Sequence, residues 1–257
     1  MKIRVCVAGA TGWVGKPLCA AIAQAEDLQL VGAVSRSARG GTIEGCPISG
    51  TVAEALAAPT DVLVDYTHPD AVFDNTMEAI RRGVSVVIGT SGLADSQLAE
   101  IDRAAREQPV GVIAGGNFSI TAALLERFAC QAARYLAQWE IIDYNGDAKP
   151  DAPSGTAREL AYRLAEIHLP QLTVPVGETL GEPAARGATL NGIQVHSLRL
   201  PGFTSSVEVL FGAPDERLTI RHDAGSSSGP YIQGTLLAIR KVRQVQGLLR
   251  GLDRLLD

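Results

Sequence analysis

Short apolar segments rich in valine and isoleucine recur along the first half of the chain and alternate with longer amphipathic segments. An apolar run of this length with β-branched residues is typical of a buried strand. The predicted strands are Ile3–Ala8, Leu28–Val34, 62–66, 84–88 and 110–114, and the predicted helices between them are 13–25, 69–82 and 94–106. Buried strands that alternate with helices predict a parallel sheet covered by helices on both faces.

The pattern changes after Asn117. One helix is predicted over 120–139, a strand over 140–144, and a second helix over 154–168 with Ser154 as its N-cap. Few helical signals separate the next strand-like segments, which are 193–199, 207–211 and 217–222. This half therefore predicts a mixed or antiparallel sheet with helices on one side. A last helix is predicted over 231–243, and we expect 181–191 to be a mobile loop.

Composition narrows the function classes. The chain has 257 residues, of which 46% are hydrophobic and 20% charged, and this profile is typical of a soluble globular protein. The net charge of −5 disfavours binding to nucleic acid. The four cysteines are far apart in sequence, which favours reduced thiols over disulfides or a metal site. The absence of a signal peptide and of a long apolar span predicts a cytoplasmic protein without membrane association.

A glycine-rich loop, V-A-G-A-T-G-W-V-G, joins the first predicted strand to the first predicted helix. Glycine allows a tight turn and close approach of backbone N–H groups to a phosphate, and the helix start adds partial positive charge. The spacing is G-x-x-G-x-x-G, whereas the standard fingerprint is G-x-G-x-x-G. Its context favours dinucleotide binding over a structural turn. The candidate cofactor contacts here are Gly9, Thr11, Gly12, Trp13, Val14 and Gly15.

The end of the second strand bears on the choice of cofactor. An acidic residue there would hold the ribose 2′-hydroxyl of NAD. This chain instead has Ser35, Arg36 and Ser37, with Arg39 close by, and these groups suit a 2′-phosphate. We therefore predict NADPH, with NADH as the other possibility and a purely solvated Arg36 as the alternative interpretation.

Three more segments follow predicted strands: D-Y-T-H-P from Asp65, G-T-S-G from Gly89 and G-G-N-F-S from Gly115. Open α/β sheets bind ligands outside the carboxyl ends of their strands. We expect these segments to contact the nicotinamide half of the cofactor. The candidate residues are Tyr66, Thr67, Gly89, Thr90, Ser91, Gly116, Asn117 and Phe118.

These segments, followed by K-P-D-A-P-S-G-T from Lys149 and H-S-L-R from His196, resemble the dihydrodipicolinate (4-hydroxy-tetrahydrodipicolinate) reductase family over nearly the whole chain. The resemblance implies a Rossmann domain, 1–117 plus 228–257, and a substrate-binding and tetramerisation domain, 118–227. It implies an NAD(P)H-dependent reductase that transfers hydride to a carboxylated cyclic imine or ene in lysine and diaminopimelate biosynthesis. It also implies a homotetramer.

Two features depart from the family pattern. The family motif is preceded by a histidine pair, one member of which is regarded as the proton donor, whereas this chain has Asn145 and Gly146. Neither residue is an acid near neutral pH. In addition, the segment 201–206 lacks a histidine that many members have. Asn-Gly is a strong turn signal, so Asn145 either marks a turn or hydrogen-bonds the substrate.

The predicted helix start at Ser154, Gly155 and Thr156 offers N–H groups, two hydroxyls and a helix dipole to a carboxylate, and Lys149 adds a positive charge. The alternatives are a plain N-cap and a solvated lysine. Of the four histidines, His196 is the best candidate for the missing acid and a predicted substrate contact, and no metal site is predicted. Lys149 and Asn145 are the catalytic candidates, with the proton coming from Lys149 or water.

Three functions remain open at this point. The first is the family reductase activity. The second is a divergent imine reductase that acts on a different carboxylated substrate in another pathway. The third is a non-catalytic paralogue that binds NADPH.

Overall fold

The computed structural model describes residues 1–256, and its contacts divide the chain into two compact units. Unit 1 comprises Met1–Ile120 together with the chain from Ser228 onward, and unit 2 comprises Thr121–Ser227. The first boundary therefore lies three residues after the predicted one.

Unit 1 is built on one eight-stranded sheet. Its order is β13-β7-β6-β5-β1-β2-β4-β3, and every pair is parallel except β3–β4. The strands are β1 (Ile3–Ala8), β2 (Leu28–Val34), β3 (Thr42–Ile43), β4 (Cys46–Ser49), β5 (Val62–Asp65), β6 (Ser85–Ile88), β7 (Gly111–Ala114) and β13 (Gly247–Arg250). The strands that follow β1 in the chain lie on opposite sides of it, β2 on one side and β5 on the other. The carboxyl ends of these strands flank a crevice, which is where ligands bind in such sheets.

Helices bury the apolar faces of this sheet. They are α1 (Gly15–Gln24), α2 (Val52–Ala55), α3 (Pro69–Arg81), α4 (Asp95–Glu107) and α7 (Gly229–Lys241). Proline at the first position of α3 suits a helix start, because the missing N–H would have had no partner there. The central strands β5 and β6 are buried at every position, as expected of strands covered on both faces.

Unit 2 contains a five-stranded mixed sheet in the order β12-β11-β8-β10-β9. The strands are β8 (Gln138–Asn145), β9 (Ala188–Leu190), β10 (Ile193–Arg199), β11 (Ser205–Ala213) and β12 (Glu216–Ala224). The helices α5 (Ile120–Ala133) and α6 (Gly155–Ala165) supply apolar side chains that share one core with this sheet. The prediction of an α/β Rossmann sheet followed by an α+β unit with a mixed sheet is confirmed.

Strand alternation gives the sheet of unit 2 two different faces. In β8, Trp139, Ile141, Asp143 and Asn145 are buried, while the residues between them are partly exposed. We call the face that carries Asp143 the inner face and the opposite one the outer face. Because paired residues point the same way, the register of β10 puts Ser197 beside Asp143 on the inner face and His196 on the outer face.

Several predictions at element level were wrong. The helix expected over 120–139 ends at Ala133, and Trp139 belongs to β8. The segment 181–191 contains a short 3₁₀-helix, Pro183–Arg186, and the strand β9. Four short elements, β3, β4, α2 and β13, were not predicted. No helix in the described part of the chain is both long and apolar enough to cross a membrane.

Candidate active site

The glycine loop of unit 1 is closed so tightly that two of its glycines are sterically required. Gly9 has φ +81°, and a Cβ there would lie 2.1 Å from the carbonyl oxygen of Tyr66. A Cβ on Gly15 would lie 2.0 Å from the carbonyl oxygen of Gly9. Real atoms do not approach so closely, so any side chain at either position would open the turn.

The start of α1 is suited to bind an anion. Val14 occupies the N-cap position without a side-chain hydrogen bond, and the first turn contains no acidic residue. Within the described chain, the N–H groups of Trp13 and Val14 donate to no backbone acceptor. Unpaired N–H groups at a helix start attract phosphate, so this loop fits a dinucleotide pyrophosphate. Trp13 itself is exposed and packs edge-on against Tyr231.

A groove of about 520 Å³ runs beside this loop and is lined by Thr11, Gly12, Ser35, Arg36 and Ser37, among others. Thr11 Oγ1 lies 2.8 Å from Ser35 Oγ, which in turn lies 3.3 Å from Ser37 Oγ. The three hydroxyls thus form a chain along the groove wall, in which Ser35 is buried while Thr11 and Ser37 are exposed.

The two arginines near the end of β2 differ in their partners. Arg39 Nη2 lies 2.8 Å from Glu54 Oε1, so its charge is already compensated. Arg36 has no ion-pair partner within residues 1–256. Of the two, Arg36 is therefore the cation in the groove wall that is available to a phosphate.

Asp65, at the carboxyl end of β5, organises the next two loops. It is fully buried, and its Oδ1 accepts hydrogen bonds from Thr67 Oγ1 at 2.7 Å and Thr90 Oγ1 at 2.8 Å. Asn75 Nδ2 donates to Oδ2 at 2.8 Å. The hydroxyls of Thr67 and Thr90, which we predicted to contact cofactor, are therefore directed at Asp65.

Tyr66 and Phe118 support the groove from beneath. Phe118 is 1% exposed and packs edge-on against the ring of Tyr66. The Tyr66 hydroxyl lies 2.7 Å from Thr235 Oγ1, and burial raises the pKa of this phenol. A Cβ on Gly89 would lie 2.1 Å from Tyr66 Cε1, so the ring sets the position of the Gly89 loop. Phe118 is therefore a core residue, whereas Tyr66 is partly exposed and lines the groove. Their predicted contact with the cofactor stays a prediction.

The remaining loop residues stay accessible. Ser91 and Gly116 are exposed, and Gly89 and Thr90 are partly exposed. Asn117 Oδ1 accepts a hydrogen bond of 2.8 Å from the backbone N–H of Ser119, which turns the chain into α5.

In unit 2 the corresponding organising group is Asp143, which is fully buried on the inner face of β8. Its Oδ1 accepts hydrogen bonds from Asn145 Nδ2 and Ser154 Oγ, each at 2.7 Å. Its Oδ2 accepts from the Ser154 N–H at 3.0 Å, Ser197 Oγ at 3.2 Å and Arg199 Nη2 at 2.9 Å. Five hydrogen bonds, one of them from the charged guanidinium of Arg199, therefore compensate the buried carboxylate.

This network determines what Asn145 can do. The residue is 2% exposed and ends β8. Its amide N–H is used by Asp143, and an amide does not transfer a proton near neutral pH. The Asn145 side chain is thus held by Asp143, and the Asn-Gly pair ends the strand. Its catalytic role stays a prediction.

The helix start at α6 is capped by Ser154; Ser154 and Thr156 are buried there and Gly155 is partly exposed. Ser154 Oγ accepts a hydrogen bond of 3.3 Å from the Ala157 N–H and donates to Asp143. Its hydroxyl is therefore fully used, and Gly155 and Thr156 supply the other predicted groups of this turn. Nearby in the chain, Lys149 Nζ forms an ion pair of 2.8 Å with Asp151.

His196 lies elsewhere. On the outer face its Nε2 is 2.7 Å from Glu140 Oε2, and Arg186 Nη2 is 2.8 Å from Glu140 Oε1. Partial burial favours a higher pKa for Glu140, but the hydrogen bonds from Arg186 and His196 outweigh it and lower this pKa. Asp143, with Ser154 bound to it, lies on the opposite face, so the structure does not bring His196 together with these two residues.

The two buried aspartates were missed by sequence reasoning, although each left a signal. Asp65 ends an otherwise apolar run, V-L-V-D, and Asp143 occupies a core-facing position in E-I-I-D-Y. A single acidic residue at a core-facing position of a strand implies a carboxylate whose charge is compensated by neighbouring donors. This rule would have identified both aspartates.

Comparisons with known proteins cover the whole described chain. The profile of the family described as dihydrodipicolinate reductase, N-terminus, matches residues 3–118, and that of the C-terminus of the same family matches residues 121–256. The 4-hydroxy-tetrahydrodipicolinate reductase of Synechococcus elongatus is 44% identical, with 99% of this chain and 98% of the relative covered. The enzyme of the same name from Moorella thermoacetica is 40% identical, with the same coverage of both chains.

A solved structure is also similar over its full length. The dipicolinate-bound dihydrodipicolinate reductase from Paenisporosarcina sp. TG-14 superimposes with a TM-score of 0.81 and 32% sequence identity, and the match covers 100% of both chains.

The Asp143 network yields a stability prediction. Replacement of Asp143 by Asn removes the charge that compensates Arg199, whose side chain is only 17% exposed. We expect a loss of about 3–5 kcal/mol in the free energy of unfolding of unit 2. Urea denaturation followed by the fluorescence of buried Trp139, in a Trp13→Phe background, measures it. Asp147→Asn, which removes an exposed carboxylate nearby, is the control, and equal stability of the two variants would contradict the prediction.

Proposed function

This chain belongs to the dihydrodipicolinate reductase family, and from that premise we propose that it is an NAD(P)H-dependent 4-hydroxy-tetrahydrodipicolinate reductase of lysine and diaminopimelate biosynthesis. The observation that carries the proposal is the combination of an open helix start behind a tight glycine turn in unit 1 with a rigidly held K-x-D-A-P-S-G-T loop in unit 2. The first suits a dinucleotide and the second a carboxylate.

Unit 1 would hold the cofactor, which supplies the hydride when bound. The N–H groups of Trp13 and Val14 would hold its pyrophosphate, and Gly9 and Gly15 allow the backbone to approach. The accessible Gly89, Ser91 and Gly116 would contact its nicotinamide half. Tyr66 and Phe118 would act through these loops by setting their positions.

The groove at the end of β2 favours NADPH over NADH. Arg36 lines the groove without an ion-pair partner in residues 1–256, and the hydroxyls of Ser35 and Ser37 lie beside it. A guanidinium and two hydroxyls suit a 2′-phosphate. No acidic side chain lines this groove to hold a 2′-hydroxyl in its place.

Unit 2 would hold the substrate. Lys149 would pair with a substrate carboxylate, and the backbone N–H groups at Gly155 and Thr156 would donate to it at the start of α6. Asp143 keeps this turn in place through Ser154. The proton that completes the reduction would come from Lys149 or from water, because Asn145 has none to give.

Substrate binding by Lys149 can be tested directly. We expect Lys149→Ala to raise KM about 10- to 100-fold, since a hydrogen bond to a charged group contributes about 1.5–3 kcal/mol. The assay is steady-state NADPH oxidation with enzymatically generated substrate. Lys2→Ala, at an exposed lysine outside both proposed binding loops, serves as the control. Near-wild-type kinetics for Lys149→Ala would remove this residue from the site, and no turnover by the wild-type chain would refute the proposed activity.

Cofactor choice can be tested at Arg36. We expect Arg36→Asp to raise the KM for NADPH about 10- to 100-fold while the KM for NADH changes little, because the carboxylate repels the 2′-phosphate and can accept from a 2′-hydroxyl. Arg39→Gln is the matched control, since Arg39 is already paired with Glu54. An unchanged ratio of NADPH to NADH preference in the Arg36 variant would show that the 2′-phosphate is held elsewhere.

We further propose that the protein is a homotetramer assembled through the outer face of the unit 2 sheet. Ile142, Leu198 and Leu210 lie on this face and are partly exposed. Apolar side chains that stay partly exposed on a sheet face, beside the ion pairs of Glu140, are suited to pair with a second copy. Four buried free cysteines are consistent with a reducing compartment, so we place the protein in the cytoplasm.

Assembly can be measured by sedimentation. We expect the wild-type protein to sediment as a tetramer and Leu210→Arg to shift it towards smaller species, because a charge would be buried in the interface. The control is Leu180→Arg at a position that is 97% exposed in a loop. A monomeric wild-type protein, or a tetramer unaffected by Leu210→Arg, would contradict this assignment.

A further inference from the structure

The ion pair between Lys149 and Asp151 lies inside the loop that would bind the substrate. Lys149 Nζ and Asp151 Oδ1 are 2.8 Å apart, and the two side chains are 35% and 52% exposed. Within residues 1–256, Lys149 forms no other ion pair. The ammonium group that would bind a substrate carboxylate is therefore already bound to a carboxylate of the same loop.

The neighbouring cation cannot replace Lys149. Arg199 donates from Nη2 to Asp143 at 2.9 Å and to the Asp151 carbonyl oxygen at 2.7 Å, and from Nη1 to the Leu198 carbonyl oxygen at 2.8 Å. Removing Arg199 from these partners would leave the buried Asp143 without its charge partner. A substrate carboxylate that needs a positive charge from this loop must therefore take Lys149.

We propose that Asp151 is an internal competitor for the substrate, whose carboxylate holds Lys149 in the ligand-free protein and is exchanged for a carboxylate of the substrate on binding. This inference rests on the proposed function. The exchange replaces one carboxylate by another at Nζ, so the lysine keeps its charge and its number of carboxylate partners.

Exchange at this position is easy for two physical reasons. The pair is open to water, and exposed ion pairs contribute little net free energy. The Asp151 side chain forms no ion pair except that with Lys149 in the described chain, so its carboxylate can turn into solvent. Partial burial favours a higher pKa for Asp151, but the hydrogen bond and charge of Lys149 outweigh it and lower this pKa. The pair with Lys149 thus favours the ionised form of the competitor.

The backbone of Asp151 stays in place during such an exchange. Arg199 Nη2 holds its carbonyl oxygen at 2.7 Å, and the same guanidinium is bound to the buried Asp143. The released carboxylate therefore remains close to Lys149 and can recapture it when the product leaves. Asp151 is in this sense a positioning residue that lowers affinity for carboxylates and promotes their release.

The experiment measures the affinity of the full-length protein for pyridine-2,6-dicarboxylate by calorimetry at saturating NADPH. We expect Asp151→Asn to lower the Kd about two- to fivefold, because a neutral amide competes weakly for Lys149 and no longer repels the ligand. Asp147→Asn is the matched control, since it removes an exposed carboxylate from the same loop, and its Kd should stay within the experimental error of wild type. Asp151→Glu restores a carboxylate and should restore the wild-type Kd.

Each outcome decides the question. Tighter binding by Asp151→Asn alone, reversed in Asp151→Glu, supports internal competition. Weaker or unchanged binding by Asp151→Asn overturns it while leaving the proposed function intact, since Asp151 would then orient Lys149 or do nothing. Equal tightening in Asp147→Asn also overturns it, because the effect would be that of net charge alone. If no variant binds the dicarboxylate, the proposed function and the competition both fail.

Discussion

A buried carboxylate surrounded by donors is the constraint on which each half of this protein depends. Asp143 in unit 2 accepts five hydrogen bonds and Asp65 in unit 1 holds two threonine hydroxyls and an asparagine amide. A carboxylate removed from water is costly unless donors replace its solvation shell. The loops that carry Thr67, Thr90 and Ser154 are therefore hydrogen-bonded to a buried strand residue, Asp65 or Asp143. That buried residue determines the geometry of the loops.

This arrangement explains why several polar side chains of types that often bind ligands do not point their polar groups at a ligand. The hydroxyls of Thr67, Thr90 and Ser154 are directed at the two aspartates, and the amide of Asn145 is as well. The backbone N–H groups of Thr67 and Ser154 are used in the same way. What remains for a ligand is the space above the neighbouring glycines. Backbone recognition of a carboxylate at a helix start needs a rigid turn, and at the start of α6 the hydrogen bonds from Ser154 to Asp143 provide that rigidity.

The family resemblance and the geometry also bear on the proton needed for reduction. The resemblance places a histidine pair where this chain has Asn145 and Gly146, and the structure shows Asn145 used by Asp143. The cation that remains accessible in the loop is Lys149, and it is held by Asp151. Hydride transfer depends strongly on alignment, so under the proposed function an intact carboxylate site would preserve the reaction type even with a different proton donor. Carboxylate binding and proton supply would then be separable properties of this loop.

The sequence by itself determined the parallel sheet of unit 1, the mixed sheet of unit 2, the glycine turn and the family, since strand-length apolar runs and short motifs are local signals. It also predicted the groove at Arg36, because that residue follows a strand end. It could not predict the end of α5 at Ala133, since the apolar pattern runs on into β8 without a breaker. Only the tertiary structure decided that Asn145 donates to Asp143, that His196 lies on the outer face and that the ring of Tyr66 packs against the buried Phe118. Those roles depend on strand register and on partners distant in sequence, which no local pattern encodes.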